Sequence, residues 1–271
     1  MKYRKALLII MVILGIWLIR EHPIKFRSAL MPVHKSTDKS ELSSKGLLSN
    51  PRIFRVHTGS QKLVALTFDD GPDARFTLQA LDILQQYDIK ATFFVVGETA
   101  AAHPELVKRL ADQGHEIENH TYTHPDLTQL SAVQTQEEII RAGEVIEGVT
   151  GKKLHYFRPP KGLSTDQTLD IAAANGYQVI LWSIGLEHDS CRTINDMAQR
   201  VIDKAEPGII ILAHDGRLDR SRTMQALPLV IEGYQKQGYR FVVLKELMDS
   251  QIEYNNSAAR VEFITGLLEG A

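Results

Sequence analysis

The sequence predicts an α/β fold built on a parallel sheet, on three observations. From Gln61 onward, short β-rich runs alternate with amphipathic helical runs, the pattern of strands joined by crossover helices. Some strand runs, such as Ile209–Leu212, are wholly apolar, as expected of strands covered on both faces. Polar residues collect where the strands end, and in parallel α/β architectures those ends share the face where catalytic groups sit. Both a barrel and a doubly wound sheet satisfy these observations.

Taken in order, the first strand is Leu63–Phe68, which runs into Asp69-Asp70-Gly71. Asp-Gly is a common turn dipeptide, but a hairpin needs a strand next, and Phe76–Tyr87 reads as a helix. A second strand, Ala91–Val96, precedes a helix over Pro104–Gln113. The third, His115–Glu118, ends in Asn119-His120, with His124 four residues on and a helix over Ala132–Val149. The fourth, His155–Arg158, leads into Pro159-Pro160 and a helix over Asp166–Asn175. Gln178–Ser183 reads as the fifth strand, followed by a helix over Asn195–Lys204. Ile209–Ala213 is the sixth and ends in His214-Asp215-Gly216; a helix over Met224–Gln237 and a last strand, Arg240–Leu244, complete the set.

The segment before Gln61 has a different character. Lys2, Arg4 and Lys5 precede an apolar run from Ala6 to Ile19, closed by Arg20. This is the shape of a signal h-region, and its reach of about 21 Å is short for a full span. Flanking Lys and Arg can snorkel and extend it. No small-x-small cleavage site follows in Glu21–Lys25, so an uncleaved anchor over residues 1–27 is expected, with a cleaved, secreted form as the alternative. Residues 28–60 read as a linker, rich in Ser, Lys, Asp and Glu between Ser36 and Lys45. The catalytic domain is expected over 61–249, with a tail over 250–271.

Composition narrows the chemistry. The 271 residues carry 31 Lys and Arg against 33 Asp and Glu, a net charge of −2. No basic field exists to attract nucleic acid. A single cysteine, Cys191, excludes an intramolecular disulfide and a cysteine-cluster metal site; it reads as a small filler residue. Any metal must take His and carboxylate ligands, and there are 10 His. His120 and His124, at i and i+4, would share one face of a helical turn and bind one ion, or be two surface histidines. Taken singly, Arg158 reads equally as a surface ion-pair partner, and His214 as a core histidine.

Together these residues resemble the polysaccharide deacetylases with a NodB homology domain, carbohydrate esterase family 4. The resemblance spans about Lys62 to Leu247 and rests on four motifs in order: Thr67-Phe68-Asp69-Asp70-Gly71, His120-Thr121-Tyr122-Thr123-His124, Arg158-Pro159-Pro160-Lys161-Gly162 and Leu212-Ala213-His214. It implies a distorted (β/α)7 barrel. It implies that Asp70, His120 and His124 bind a divalent metal, zinc first, with cobalt or manganese as alternatives. Asp69 would be the general base, Arg158 its orienting partner and His214 the general acid. The Lys161 N–H would bind the oxyanion, and Tyr122, Trp182 and Leu212 would line the substrate site.

Two departures from the family pattern stand out. Lys161 replaces an aromatic residue, which turns that part of the cleft cationic and favours an anionic polymer. In the fourth motif, after Trp182-Ser183, Gly185 stands where an Asp usually orients the catalytic histidine, and a second Trp is missing. Glu187 or Asp189 from the same loop are the candidate substitutes. Without one, His214 loses a partner that raises its pKa.

The expected activity is metal-dependent removal of acetyl groups from an N-acetylated cell-surface polysaccharide, peptidoglycan or a chitin-like N-acetylglucosamine polymer. The expected protein is a monomer, anchored in the cell membrane with its catalytic domain outside the cytoplasm. The competing readings are a catalytically impaired protein that binds cell-wall glycan, for which the altered fourth motif is the main support, and a deacetylase of another acetylated glycan.

Overall fold

Seven consecutive buried residues, Leu63–Asp69, form β1, the strand on which the others assemble. A computed structural model of the protein describes residues 52–188 and 190–251. After β1 come α1 (Phe76–Gln86), β2 (Thr92–Val95), α2 (Gly97–Ala102), α3 (Pro104–Asp112), β3 (Glu116–Asn119) and α4 (Ala132–Thr150). Then follow β4 (Tyr156–Phe157), α5 (Asp166–Ala174), β5 (Gln178–Val179), β6 (Ile184–Gly185), α6 (Ile194–Ile202), β7 (Ile210–His214), α7 (Ser221–Lys236) and β8 (Arg240–Val242). The N-terminal apolar run, most of the linker, Asp189 and the tail beyond residue 251 lie outside the described residues.

The strands pair in parallel in the order β5-β4-β3-β2-β1-β7-β6, with β8 also on β1. Because β7 takes one edge of β1, β8 and β2 share the other: β8 lies beside Leu63–Ala65 and β2 beside Thr67–Asp69. The ends of the curled sheet are joined by the segment before β1. Ile53 bridges to Ile180 in parallel, and Arg55 bridges to Ile209 antiparallel. Val56 is fully buried in the sheet's inner cluster, so the last part of the range read as linker packs with the barrel.

The period of two along β1 separates two cores. Val64, Leu66 and Phe68 point outward into the apolar layer under the helices. Leu63 and Ala65 point inward with Phe94, Tyr156, Ile180, Ile210 and Val242. On that inner face the sequence then turns polar, to Thr67 and Asp69, so β1 runs from an oily floor to a charged mouth. The helices are held at their ends by local chemistry. In α4, Ser131 and Gln134 form a reciprocal capping box, and Gly151, at φ 66°, closes the C-terminus in the left-handed conformation that glycine adopts at least cost.

Two elements differ from the sequence expectation. Gln178–Ser183 is not one strand. Pairing with β4 ends after β5, and the chain crosses to pair again as β6 on β7. The carbonyls of Ile180 and Leu181, which a continuing strand would offer a neighbour, accept instead from Arg158 Nε (3.3 Å) and Nη2 (2.9 Å). The short helix α2 was also not anticipated. Its sequence, Gly-Glu-Thr-Ala-Ala-Ala, is too short and too uniformly small to show a helical period.

Candidate active site

The sheet register brings distant chain segments to one rim. Asp69 is level with His214 of β7 and with Phe94 of β2, Val95 is level with Asn119 of β3, and Asn119 with Phe157 of β4. His120 and Arg158, the residues next along β3 and β4, therefore reach the mouth beside Asp69.

Arg158 is wholly buried and crosses the barrel interior. Its Nη1 donates to Asp69 Oδ1 at 2.7 Å and to Thr67 Oγ1 at 2.8 Å, and its guanidinium lies 4.0 Å from the centre of the Phe94 ring. Burial lowers its pKa from the usual arginine value, against the pull of Asp69. With two backbone carbonyls and a carboxylate taking its donors, the cation is paired on every side, the condition under which a buried charge is tolerated.

Asp70 is placed by a break in the strand. Adjacent residues of an extended strand point to opposite faces, so the two carboxylates would be expected to diverge. Asp70 instead has φ 78°, an uncommon conformation for an L-residue. Both carboxylates consequently approach the same imidazole: His120 Nε2 lies 3.7 Å from Asp69 Oδ2 and 3.6 Å from Asp70 Oδ1. His124 Nε2 is 3.1 Å from Asp70 Oδ1.

The histidines are not on a helical turn, as their spacing suggested. They bracket a loop in which Thr121 (φ 69°) and His124 (φ 60°) are both left-handed. For the β-branched Thr121 this is a strained conformation. The loop is held open by a carboxylate on α4: Glu138 Oε2 accepts from the N–H groups of Tyr122 (2.9 Å) and Thr123 (2.7 Å), and Oε1 from the Thr123 hydroxyl. Asn119 Oδ1 accepts from the Thr121 N–H at 2.9 Å.

One ligand atom each from Asp70, His120 and His124 can be chosen within 4.8 Å of one another, and the donor set fits a divalent metal. His120 Nδ1 donates to the Arg158 carbonyl at 2.7 Å, which leaves Nε2 its lone pair and aims it at the cluster. Asp70 Oδ1 is buried and has no hydrogen-bond donor among the described residues. Burial would raise the Asp70 pKa, but the two imidazoles outweigh it and hold the carboxyl well below its usual range. An ionised, unsatisfied oxygen between two imidazoles matches a three-ligand site with open positions.

On the other side of Asp69 stands His214. Its Nδ1 is 3.1 Å from Glu187 Oε2, and Glu187 Oε1 accepts from Thr223 Oγ1 of α7 at 2.6 Å. Burial disfavours the imidazolium, but the Glu187 carboxylate outweighs it and raises the His214 pKa; His214 in turn lowers that of Glu187 against its own burial. Of the two candidate substitutes for the missing Asp, Glu187 is the one placed on His214, and Asp189 lies outside the described residues.

The remaining predicted residues are spread around this centre. Lys161 sits at φ 59° in the turn closed by the Gly162 and Leu163 N–H groups, with Nζ 3.9 Å from Asp126. A Cβ on Gly162 would lie 2.9 Å from the outer edge of the Trp182 ring, so the indole packs closely against that turn. Leu212 is buried beside Gly185. The Tyr122 ring packs on the start of α2 at Gly97 and lies 3.6 Å from the Arg141 guanidinium.

Sequence reasoning missed one participant. Arg220, just before α7, donates from Nη2 to Asp70 Oδ2 at 3.0 Å and from Nε to the Gly216 carbonyl at 2.8 Å. The loop that carries it packs directly on the Asp69-Asp70-Gly71 backbone. Asp215, buried there with the Thr77 hydroxyl as donor, has its pKa pushed up to about 7 by burial. A Cβ on Gly216 would lie 2.2 Å from the Asp70 carbonyl oxygen. Gly216→Ala is therefore expected to displace Asp70 and to cost about 1–3 kcal/mol of stability, read as a lower midpoint of thermal unfolding.

A parallel half-barrel with an Asp-His-His cluster flanked by Asp–Arg and His–Glu pairs defines a carbohydrate-esterase type of hydrolase site. The chain belongs to the polysaccharide deacetylase family, whose family model matches residues 57–180. It is 39% identical over 194 residues to a peptidoglycan N-acetylglucosamine deacetylase of Bacillus cereus, covering 70% of this chain and 89% of that one. It is 34% identical to a peptidoglycan N-acetylmuramic acid deacetylase of Bacillus subtilis, covering 72% and 74%. It also resembles the crystal structure of BA3943, described as a family 4 carbohydrate esterase pseudoenzyme of Bacillus anthracis, with a TM-score of 0.69, 31% identity and coverage of 75% and 70%.

Proposed function

We propose that the protein is an active, metal-dependent deacetylase of peptidoglycan, releasing acetate from N-acetylated sugars of the glycan strand. The observation that carries this reading is the placement of a carboxylate and an imidazole, Asp69 and His214, level with each other on β1 and β7 beside Asp70, His120 and His124. A binding protein needs the metal ligands at most. It has no use for a buried Arg158–Asp69 pair or for a carboxylate dedicated to His214. The two pairs support the active reading over that of a pseudoenzyme, although a family relative of that kind shares its fold.

Asp70, His120 and His124 would hold the metal, with zinc the first candidate. When bound, such a metal polarises the acetamide carbonyl and lowers the pKa of water. Asp69, aimed by its hydrogen bond from Arg158, takes the proton of the attacking water. The Lys161 N–H supplies a donor to the developing oxyanion. His214, protonated through Glu187, gives a proton to the departing amine, which would otherwise leave as an anion.

The cationic Lys161 side chain, exposed at the turn after β4, favours a sugar that bears a carboxylate, as muramic acid does. The apolar run Ala6–Ile19, flanked by basic residues, is read as an anchor that keeps the barrel outside the cytoplasm beside this substrate. Among the described residues no helix is long and apolar enough to cross a membrane.

The test is acetate release from purified peptidoglycan and from N-acetylglucosamine oligomers, with added zinc and with chelator. Release from peptidoglycan that chelator abolishes and zinc restores is expected. Tight zinc binding with release from neither substrate would leave the glycan-binding reading in its place.

A further inference from the structure

The Arg220–Asp70 contact does not belong to the general acid, the general base or the substrate cleft. Asp70 is the one carboxylate of the cluster, and its two oxygens have separate surroundings. Oδ1 faces both imidazoles and has no hydrogen-bond donor among the described residues. Oδ2 accepts from Arg220 Nη2 at 3.0 Å, and both side chains are close to nine-tenths buried. The guanidinium is itself fixed. Its Nε is tied to the Gly216 carbonyl at 2.8 Å, and the Arg220 carbonyl accepts from the Met224 N–H in the first turn of α7. Gly216 in turn abuts the Asp70 backbone. The cation is thus built on the same loop that touches the residue it binds.

We propose that Arg220 is a positioning residue that confines Asp70 to one-oxygen ligation, taking Oδ2 so that only Oδ1 is offered to the metal. The inference rests on the metal reading of the preceding section. It has two chemical consequences. A carboxylate that binds through both oxygens would fill a coordination position, and a catalytic metal needs its remaining positions for water and the substrate carbonyl. A carboxylate shared with a guanidinium also donates less charge, so the metal keeps more of its Lewis acidity. Arg is suited to the task because its planar fork can hold the Gly216 carbonyl and Oδ2 together in a fixed geometry.

The test uses the full chain loaded with cobalt(II), whose visible absorption weakens as coordination number rises. Arg220→Gln removes the charge, and Arg220→Lys keeps a cation for Oδ2 while losing the tie to Gly216. In Arg220→Gln the visible bands are expected to weaken, as Oδ2 joins Oδ1 on the metal, and kcat to fall by on the order of 10-fold. Cobalt is still bound, because the three ligands remain. Arg220→Lys, which keeps the cation but loses the tie that aims it, is expected to give bands between those of the parent and of Arg220→Gln. A parental spectrum in Arg220→Gln overturns the proposal whatever its turnover, and so does a Lys variant that matches the Gln variant. If the parent protein itself takes up no cobalt, it is the metal reading that fails.

Discussion

Asp69→Asn is expected to lower deacetylation by about 10²- to 10⁴-fold, the usual worth of a general base, while metal content stays at the parental level. The expectation follows from where the two oxygens of Asp69 lie. Oδ1 is engaged by Arg158 at 2.7 Å, and Oδ2 faces His120 Nε2 at 3.7 Å, on the side of Asp70 and His124. An asparagine keeps an oxygen for Arg158 but has no basic group for a proton. Alanine would be a poorer choice. Either substitution removes the counter-charge of the buried guanidinium, but alanine also removes the oxygen that accepts from it, and breaking a buried pair outright costs about 3–5 kcal/mol, so lost activity could be lost fold. With asparagine, Thr67, the carbonyls of Ile180 and Leu181 and the Phe94 ring still hold Arg158 in place. The measurement is acetate release alongside metal content and thermal midpoint. A variant that turns over at the parental rate with its metal bound removes Asp69 from proton transfer.

The reason Asp69, His120, Arg158 and His214 could be found in the chain at all is that each ends or directly follows a β-rich run. In a parallel sheet, that position is enough to imply convergence. What the sequence did not carry was conformation that depends on the partner. The left-handed Asp70, Thr121 and His124 have no local signature, since none is a glycine. Their geometry is imposed by Glu138, Asn119 and the Gly216 loop, which come from other elements. For the same reason the strand break after Val179 was invisible. The residues there are as apolar as a continuous strand requires, and what ends the pairing is an arginine twenty-odd positions earlier. Arg220 was unreadable because an arginine at the start of a helix has many ordinary uses, and only the fold brings it to Asp70.

The fourth motif shows the opposite case, in which a carboxylate missing from its usual position is supplied from the loop two residues further on. Gly185 pairs with Leu212, two residues short of His214. β6 ends at Gly185, and the loop that follows carries the Glu187 carboxylate to within 3.1 Å of His214 Nδ1, so a carboxylate moved by two positions still meets the imidazole. Glu187→Gln is expected to cut kcat by about 100-fold on the alkaline side of the profile, within the range of general-acid catalysis, and to change it little at acid pH. The sign follows from the proposed role of His214 as the acid. It must be protonated, so activity is lost as pH rises through its pKa, and Glu187 raises that pKa above the ordinary histidine value. Glutamine retains an oxygen for His214 Nδ1 but not the charge, so the pKa falls and the alkaline limb moves to lower pH. Metal content should not change, because Glu187 makes its contacts to His214 and Thr223 and to none of the three ligands. The measurement is kcat and kcat/KM across pH for parent and variant. An alkaline limb that stays in place would show that Glu187 does not charge His214, and the altered motif would then be a true loss rather than a relocated one.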